Sequence, residues 1–74
     1  MKTMILLGGG YEEVEAITVI DYLRRAQIPI DIVSINETLS TIGDHGIVIM
    51  ADKLLDDIDT DSYDKVITPG GRPG

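Results

Sequence analysis

A four-residue apolar run, Met4-Ile5-Leu6-Leu7, stops at three consecutive glycines, and a helical pattern begins two residues later at Glu12. An unbroken apolar run of this length predicts a short strand buried on both faces, as in a parallel sheet. From Glu12 to Ala26 the apolar residues recur at helical spacing. At about 100° per residue, Ala16, Val19, Ile20, Leu23 and Ala26 share one arc, while Glu13, Thr18, Asp21, Arg24 and Arg25 fall mainly opposite. Asp21 and Arg25 form an i,i+4 surface pair. Pro29 stops the helix, and the β-branched run 30–35 predicts a second strand. Residues 4–35 are therefore a βαβ unit, whose strands should be parallel and whose crossover should be right-handed.

Beyond this unit, Asn36-Glu37-Thr38 reads as a turn. Gly43-Asp44-His45-Gly46 is a glycine-bracketed turn between Thr41-Ile42 and the run 47–50, which predicts a β-hairpin or bent strand pair. Asp52 is placed to cap a short helix over 53–57. Residues 63–68 predict a further strand, ended by Pro69-Gly70-Gly71. No repeat, linker or low-complexity segment divides the 74 residues, which make at most one small domain. A chain of this size buries only about 60% of its unfolded surface. One good helix and one short one cannot cover both faces of a parallel sheet, and there is no cysteine to staple the fold. The expectation is that a partner covers the open face or that the chain is part of something larger.

Charge narrows the function. Thirteen acids against six bases give a net charge of −7. Nucleic-acid binding needs a basic face to displace counterions, and the one adjacent basic pair, Arg24-Arg25, suits the negative end of its own helix instead. Nucleic acids and anionic membrane surfaces are therefore not expected partners. No apolar run approaches the roughly 20 residues of a membrane span. The lack of a signal-peptide pattern at 1–4 and of cysteine fits a reducing cytoplasm.

The glycine loop invites a phosphate-binding reading, which its neighbours defeat. A G-x-G-x-x-G fingerprint starting at Gly8 needs glycine at position 13, where Glu13 stands. Glu12, Glu13 and Glu15 also crowd the helix N-terminus that an anion would use, so no nucleotide cofactor is expected. Glu13 reads as dipole complement and solubility. Glu12 lies near the centre of the apolar arc but, in a fraying first turn, still reaches water. Glu15 falls at the edge of the arc beside Val19, where partial desolvation would favour a protonated, hydrogen-bond-donating carboxyl. Asp57-x-Asp59-x-Asp61 resembles the start of a calcium loop, but Ser62 and Thr68 stand where glycine and glutamate are required. A solvated acidic surface is the better reading. His45 has no second histidine or cysteine with which to build a metal site. It reads as a turn residue, with reach across an oligomer interface as the alternative. Pro69-Gly70-Gly71 follows a buried strand, where backbone amides can face a crevice as a plain turn, an oxyanion site, or both.

Taken in order, "ILLGGGYEEVEAITVIDYLRRAQIPIDIVSI", "GDHGIVIMAD" and "YDKVITPGGRPG" resemble the N-terminal half of the ThiJ/PfpI family, within the class I glutamine amidotransferase-like superfamily. The resemblance covers essentially the whole chain. It implies a flavodoxin-like α/β three-layer sandwich, to which residues 1–74 contribute the βαβ unit, a hairpin and a further parallel strand. It also implies a homodimer and a nucleophilic cysteine on a strand-to-helix elbow, in a C-terminal remainder downstream of Gly74. By position Glu15 corresponds to the glutamate bonded to that cysteine, and Gly70 and Gly71 to the turn whose amides face it. His45 falls near a residue contributed by the partner subunit, where many members carry arginine. Family activities include glyoxalase- or deglycase-like conversion of small reactive carbonyls, peptidase activity and chaperone or stress roles. The 74 residues alone are expected to be non-catalytic, as a truncated or split product. The alternative is a non-catalytic chaperone-type interaction module.

Overall fold

The computed structural model describes residues 2–71; Met1 and residues 72–74, the end of the last motif above, lie outside them. Strand β1 (Thr3–Leu7), helix α1 (Glu13–Arg25) and strand β2 (Ile30–Ser34) form the predicted βαβ unit. The two strands pair in parallel from Thr3↔Ile30 to Leu7↔Ser34. Helix α1 starts where the sequence offers a cap: the Glu12 carboxylate accepts from the Val14 amide at 3.1 Å. Acids at Glu13 and Glu15 and bases at Arg24 and Arg25 complement the helix dipole at its two ends. The helix ends with Gln27 in the left-handed region at φ 61°, and the Ile28 amide returns to the Leu23 carbonyl at 2.9 Å.

Alternation of side chains assigns the faces. Ile5 and Leu7 on β1, with Ile30 and Ile32 on β2, pack with Ala16 and Ile20 of α1, and Val19 and Leu23 close the cluster. Each fully buried aliphatic side chain contributes about 1.5–3 kcal/mol. Met4 and Val33 alternate to the second face and are buried as well, as the continuous apolar run predicts. Asp31 shares that second face, and the Tyr63 hydroxyl donates to it at 2.6 Å, tying the 55–64 segment across the sheet.

Strand β3 (Ser40–Ile42) and strand β4 (Val48–Met50) form the expected antiparallel hairpin. The short helix expected over 53–57 is not there. Lys53–Leu54 is instead strand β5, parallel to β2, and Leu55–Asp57 is a single 3-10 turn. Asp52 does not cap it. Its carboxylate accepts from the Ile32 amide at 2.9 Å and from Arg24 at 3.0 Å, partners on β2 and α1. Strand β6 (Lys65–Ile67) pairs in parallel with the other side of β1. The sheet order is β5-β2-β1-β6.

Candidate functional site at the β1–β6 crevice

Strand β1 connects through α1 to β2 on one side, and β6, later in the chain, adds to its other side, so the strand order reverses between β1 and β6. In open α/β sheets the crevice at the carboxyl ends of such strands is where ligands bind. Here that crevice opens into a cavity of about 500 Å³, lined by Gly8, Gly9 and Tyr11 from the first loop and residues 68–71 from the second, with Ile35 and Asn36 alongside. Backbone contacts fasten the two loops together. The Glu12 amide donates to the Gly70 carbonyl at 2.7 Å, and Tyr11 bridges Gly71. Gly71 takes φ 137°, and a Cβ there would press on the backbone of Gly10 and Tyr11, so this position requires glycine.

Of the three candidates near this crevice, Glu15 and Gly70 meet, while Gly71 is held against Tyr11. The Gly70 amide donates to Glu15 Oε1 at 3.1 Å, joining residues 55 apart in the chain. A Cβ on Gly70 would lie 2.9 Å from Glu15 Oε2, so the close approach depends on the missing side chain. Two details differ from expectation. Glu15 is exposed rather than partly desolvated, because its side chain leaves the helix between the packed face and open solvent. The Gly70 amide is already engaged by Glu15, so a developing oxyanion there must share that donor.

Glu13, read from sequence as a solubilising charge, is instead buried, at 2% exposure. Its Oε2 accepts from the amides of His45 at 2.7 Å and Ile47 at 3.2 Å, and its Oε1 meets His45 Nδ1 at 2.9 Å. Burial raises the carboxyl's pKa, but the His45 side chain and the amides of Glu13, Ile47 and His45 more than offset it, bringing it down to about 2. The His45 ring is correspondingly raised above its ordinary value, first by its hydrogen bond to Glu13 and then by the charges of Glu13, Glu12 and Asp44, against a smaller opposing effect of desolvation. Gly43 makes the arrangement possible, since a Cβ there would collide with the Glu13 carboxylate. Around this pair the hairpin docks on the glycine loop through Gly10 N–H to Ile42 O at 3.0 Å and Asp44 N–H to Tyr11 O at 2.8 Å. The Tyr11 and Thr41 hydroxyls meet at 2.9 Å beneath them.

The residue pattern singled out Glu15 and the family resemblance pointed it at the Gly70 turn, while neither found the partners of Glu13. The overlooked signal is the G-D-H-G turn, whose first glycine leaves room for a carboxylate to reach the His45 and Ile47 amides. Glu12, Glu13 and His45 present ligand atoms within 4.8 Å of one another, a group that sequence spacing did not suggest. Both Glu13 oxygens are already engaged by the turn, so this set is built as a hydrogen-bonded unit.

The sheet order and the crossover helix are those of part of a flavodoxin-like α/β fold, with the crevice at its switch point. The model of the DJ-1/PfpI family matches residues 1–74, and the chain belongs to that family. It is 32% identical to Protein DJ-1 homolog B of Arabidopsis thaliana over 73 residues, 99% of this chain and 17% of that protein. It is 31% identical to Deglycase TK1284 of Thermococcus kodakarensis, covering 97% of this chain and 43% of the relative. Among solved structures, oxidized Toxoplasma gondii DJ-1 superposes with a TM-score of 0.91 at 34% identity, over 99% of this chain and 40% of that one. Schizosaccharomyces pombe DJ-1 gives a TM-score of 0.85 at 26% identity, over 96% and 41%. The 74 residues thus span well under half the length of these relatives.

Proposed function

We propose that this chain is the amino-terminal portion of a cysteine-dependent DJ-1/PfpI enzyme acting on small reactive carbonyls in a glyoxalase- or deglycase-like manner. The observation that carries the reading is the 3.1 Å contact between the Gly70 amide and Glu15, which brings a carboxyl and a glycine turn together at the switch-point crevice. The name of the Thermococcus relative, a deglycase, agrees with the substrate class. The 74 residues contain no cysteine, so the nucleophile belongs to the remaining C-terminal half of the protein. In this scheme the Glu15 carboxyl hydrogen-bonds the cysteine, sharing a proton with the sulfur that attacks the carbonyl carbon. The amides of Gly70 and Gly71 receive the oxygen as it gains negative charge. No resident metal or cofactor is part of the scheme.

The protein is proposed to work as a cytoplasmic homodimer, with His45 reaching the partner's site. Ile42, Ile47, Val48 and Met50 on or beside the β3–β4 hairpin are each more than half exposed, an apolar surface suited to a second subunit. Because Nδ1 is held by Glu13, His45 can offer only Nε2 to the other side. The same surface supports the second reading, a non-catalytic chaperone-type module. Among the described residues no helix is long and apolar enough to cross a membrane.

The deciding experiment is turnover of methylglyoxal by the whole protein with Glu15→Ala. A loss of about 100-fold is expected, as for removal of a group that handles a proton in the transition state. Undiminished activity removes Glu15 from the mechanism. Absence of any activity in the unmodified protein, with a stable oligomer retained, favours the interaction module.

A further inference from the structure

The Glu13–His45 pair lies on the opposite side of the first helical turn from Glu15; Glu13 takes no part in the scheme above, and His45 enters it only through the Nε2 it offers to a partner subunit. We propose that Glu13 and His45 form a pH-responsive clamp that holds the 43–47 turn on the first turn of α1, tight when the His45 ring is cationic and slacker when it is neutral.

The geometry comes first. One buried carboxylate oxygen collects the His45 and Ile47 amides, at 2.7 and 3.2 Å, while the other holds the ring at 2.9 Å. The turn is thus strung on a single side chain that rises from α1 through the space left by Gly43. An ionised carboxylate only accepts hydrogen bonds, so His45 Nδ1 must carry the hydrogen whether the ring is charged or neutral. Titration therefore adds or removes the proton at Nε2, and the Nδ1–H to Oε1 bond survives both states. What changes is the charge facing Glu13. The clamp is graded rather than open or shut.

The charged groups facing the ring are Glu13 and Glu12 on α1 and Asp44 in the turn, all favouring the cation. The positive end of the α1 dipole opposes it, and the exposed ring is screened by water. The net shift is upward from 6.5. A group raised on folding stabilises fully below its unfolded value and loses that contribution as pH rises through its folded one. The clamp accordingly slackens on the alkaline side of 6.5. Because the turn carries both hairpin strands, slackening loosens the seat of β3 and β4 on the glycine loop. The inference uses neither Glu15 nor the nucleophile and stands independently of the proposed reaction.

The test is an imidazole nitrogen NMR titration of the whole protein, with the His45 signal assigned by its loss in His45→Gln. The expected result is a midpoint above 6.5 and an Nδ1–H tautomer in the neutral ring. In Glu13→Gln the midpoint should fall as the facing charge is removed. Exchange of the Ile47 amide, corrected for its intrinsic pH dependence, should rise several-fold between about pH 6 and about pH 8, and stay flat in His45→Gln. An Nε2–H tautomer, or a midpoint at or below 6.5 in the unmodified protein, overturns the proposal without requiring any variant to fold. Flat Ile47 exchange in the unmodified protein overturns it equally.

Discussion

Glu13 and Glu15 leave the first turn of α1 in different directions, one into the 43–47 turn and the other towards Gly70. Two residues on a helix are about 200° apart, so a pair of neighbouring acids can serve two unrelated segments of chain. Glu13 is buried and accepts two amides and a histidine ring. Glu15 is exposed and accepts one amide. Each sits against a glycine whose missing Cβ makes room for the carboxylate, Gly43 for Glu13 and Gly70 for Glu15. The lesson is that the cluster of three acids is not one electrostatic feature. Glu12 caps the helix, Glu13 holds the 43–47 turn, and Glu15 reaches the Gly70 turn, where a catalytic role is proposed for it.

The largest effect expected from this difference comes at Glu13. Glu13→Ala removes the one acceptor shared by two amides and the His45 ring and empties the space its buried carboxylate fills, and urea unfolding should show the largest loss of stability of any single change at the acidic cluster. Gly43→Ala should follow, costing about 3 kcal/mol, because the buried carboxylate has nowhere to retreat. Acid and base should then expose the pair from two sides. The lowered Glu13 carboxyl stabilises above its ordinary 4.5, and that contribution is lost as pH falls towards about 2. The raised His45 loses its contribution above 6.5, so the clamp adds most stability between 4.5 and 6.5. Unfolding midpoints at several pH values, compared with His45→Gln, measure this window. Glu15→Gln should leave stability within about 0.5 kcal/mol while lowering activity, which separates the two acids cleanly. The exposed Asp21–Arg25 pair marks the small end of the scale, and Asp21→Ala should cost only about 0.3 kcal/mol.

Much of this was legible from sequence, and the misses share a cause. The βαβ unit and hairpin follow from local periodicity and glycine placement, and both formed within a residue or two of their predicted limits. Strand β5 is two residues long, too short to leave a pattern, and exists because β2 offers an open edge. Asp52 had the local form of a cap, but the Ile32 amide and Arg24 compete for it from 20 and 28 residues away. A helical wheel assigns Glu13 an angle without showing what lies at that angle, and its partners come from 32 and 34 residues later. Glu15 was singled out by its place at the edge of the arc, yet its meeting with Gly70 was implied only by the family resemblance.

The most direct test of the division between the two acids uses one substitution at two places. Gly43 and Gly70 both lie outside the left-handed region, so alanine is strained at neither by backbone conformation, and in both cases the new methyl meets a glutamate carboxylate. Equilibrium urea unfolding of the two variants should show Gly43→Ala destabilised by about 3 kcal/mol and Gly70→Ala within about 0.5 kcal/mol of the parent, because exposed Glu15 can swing aside and buried Glu13 cannot. Equal losses in the two variants, or a larger loss at Gly70, would contradict the account.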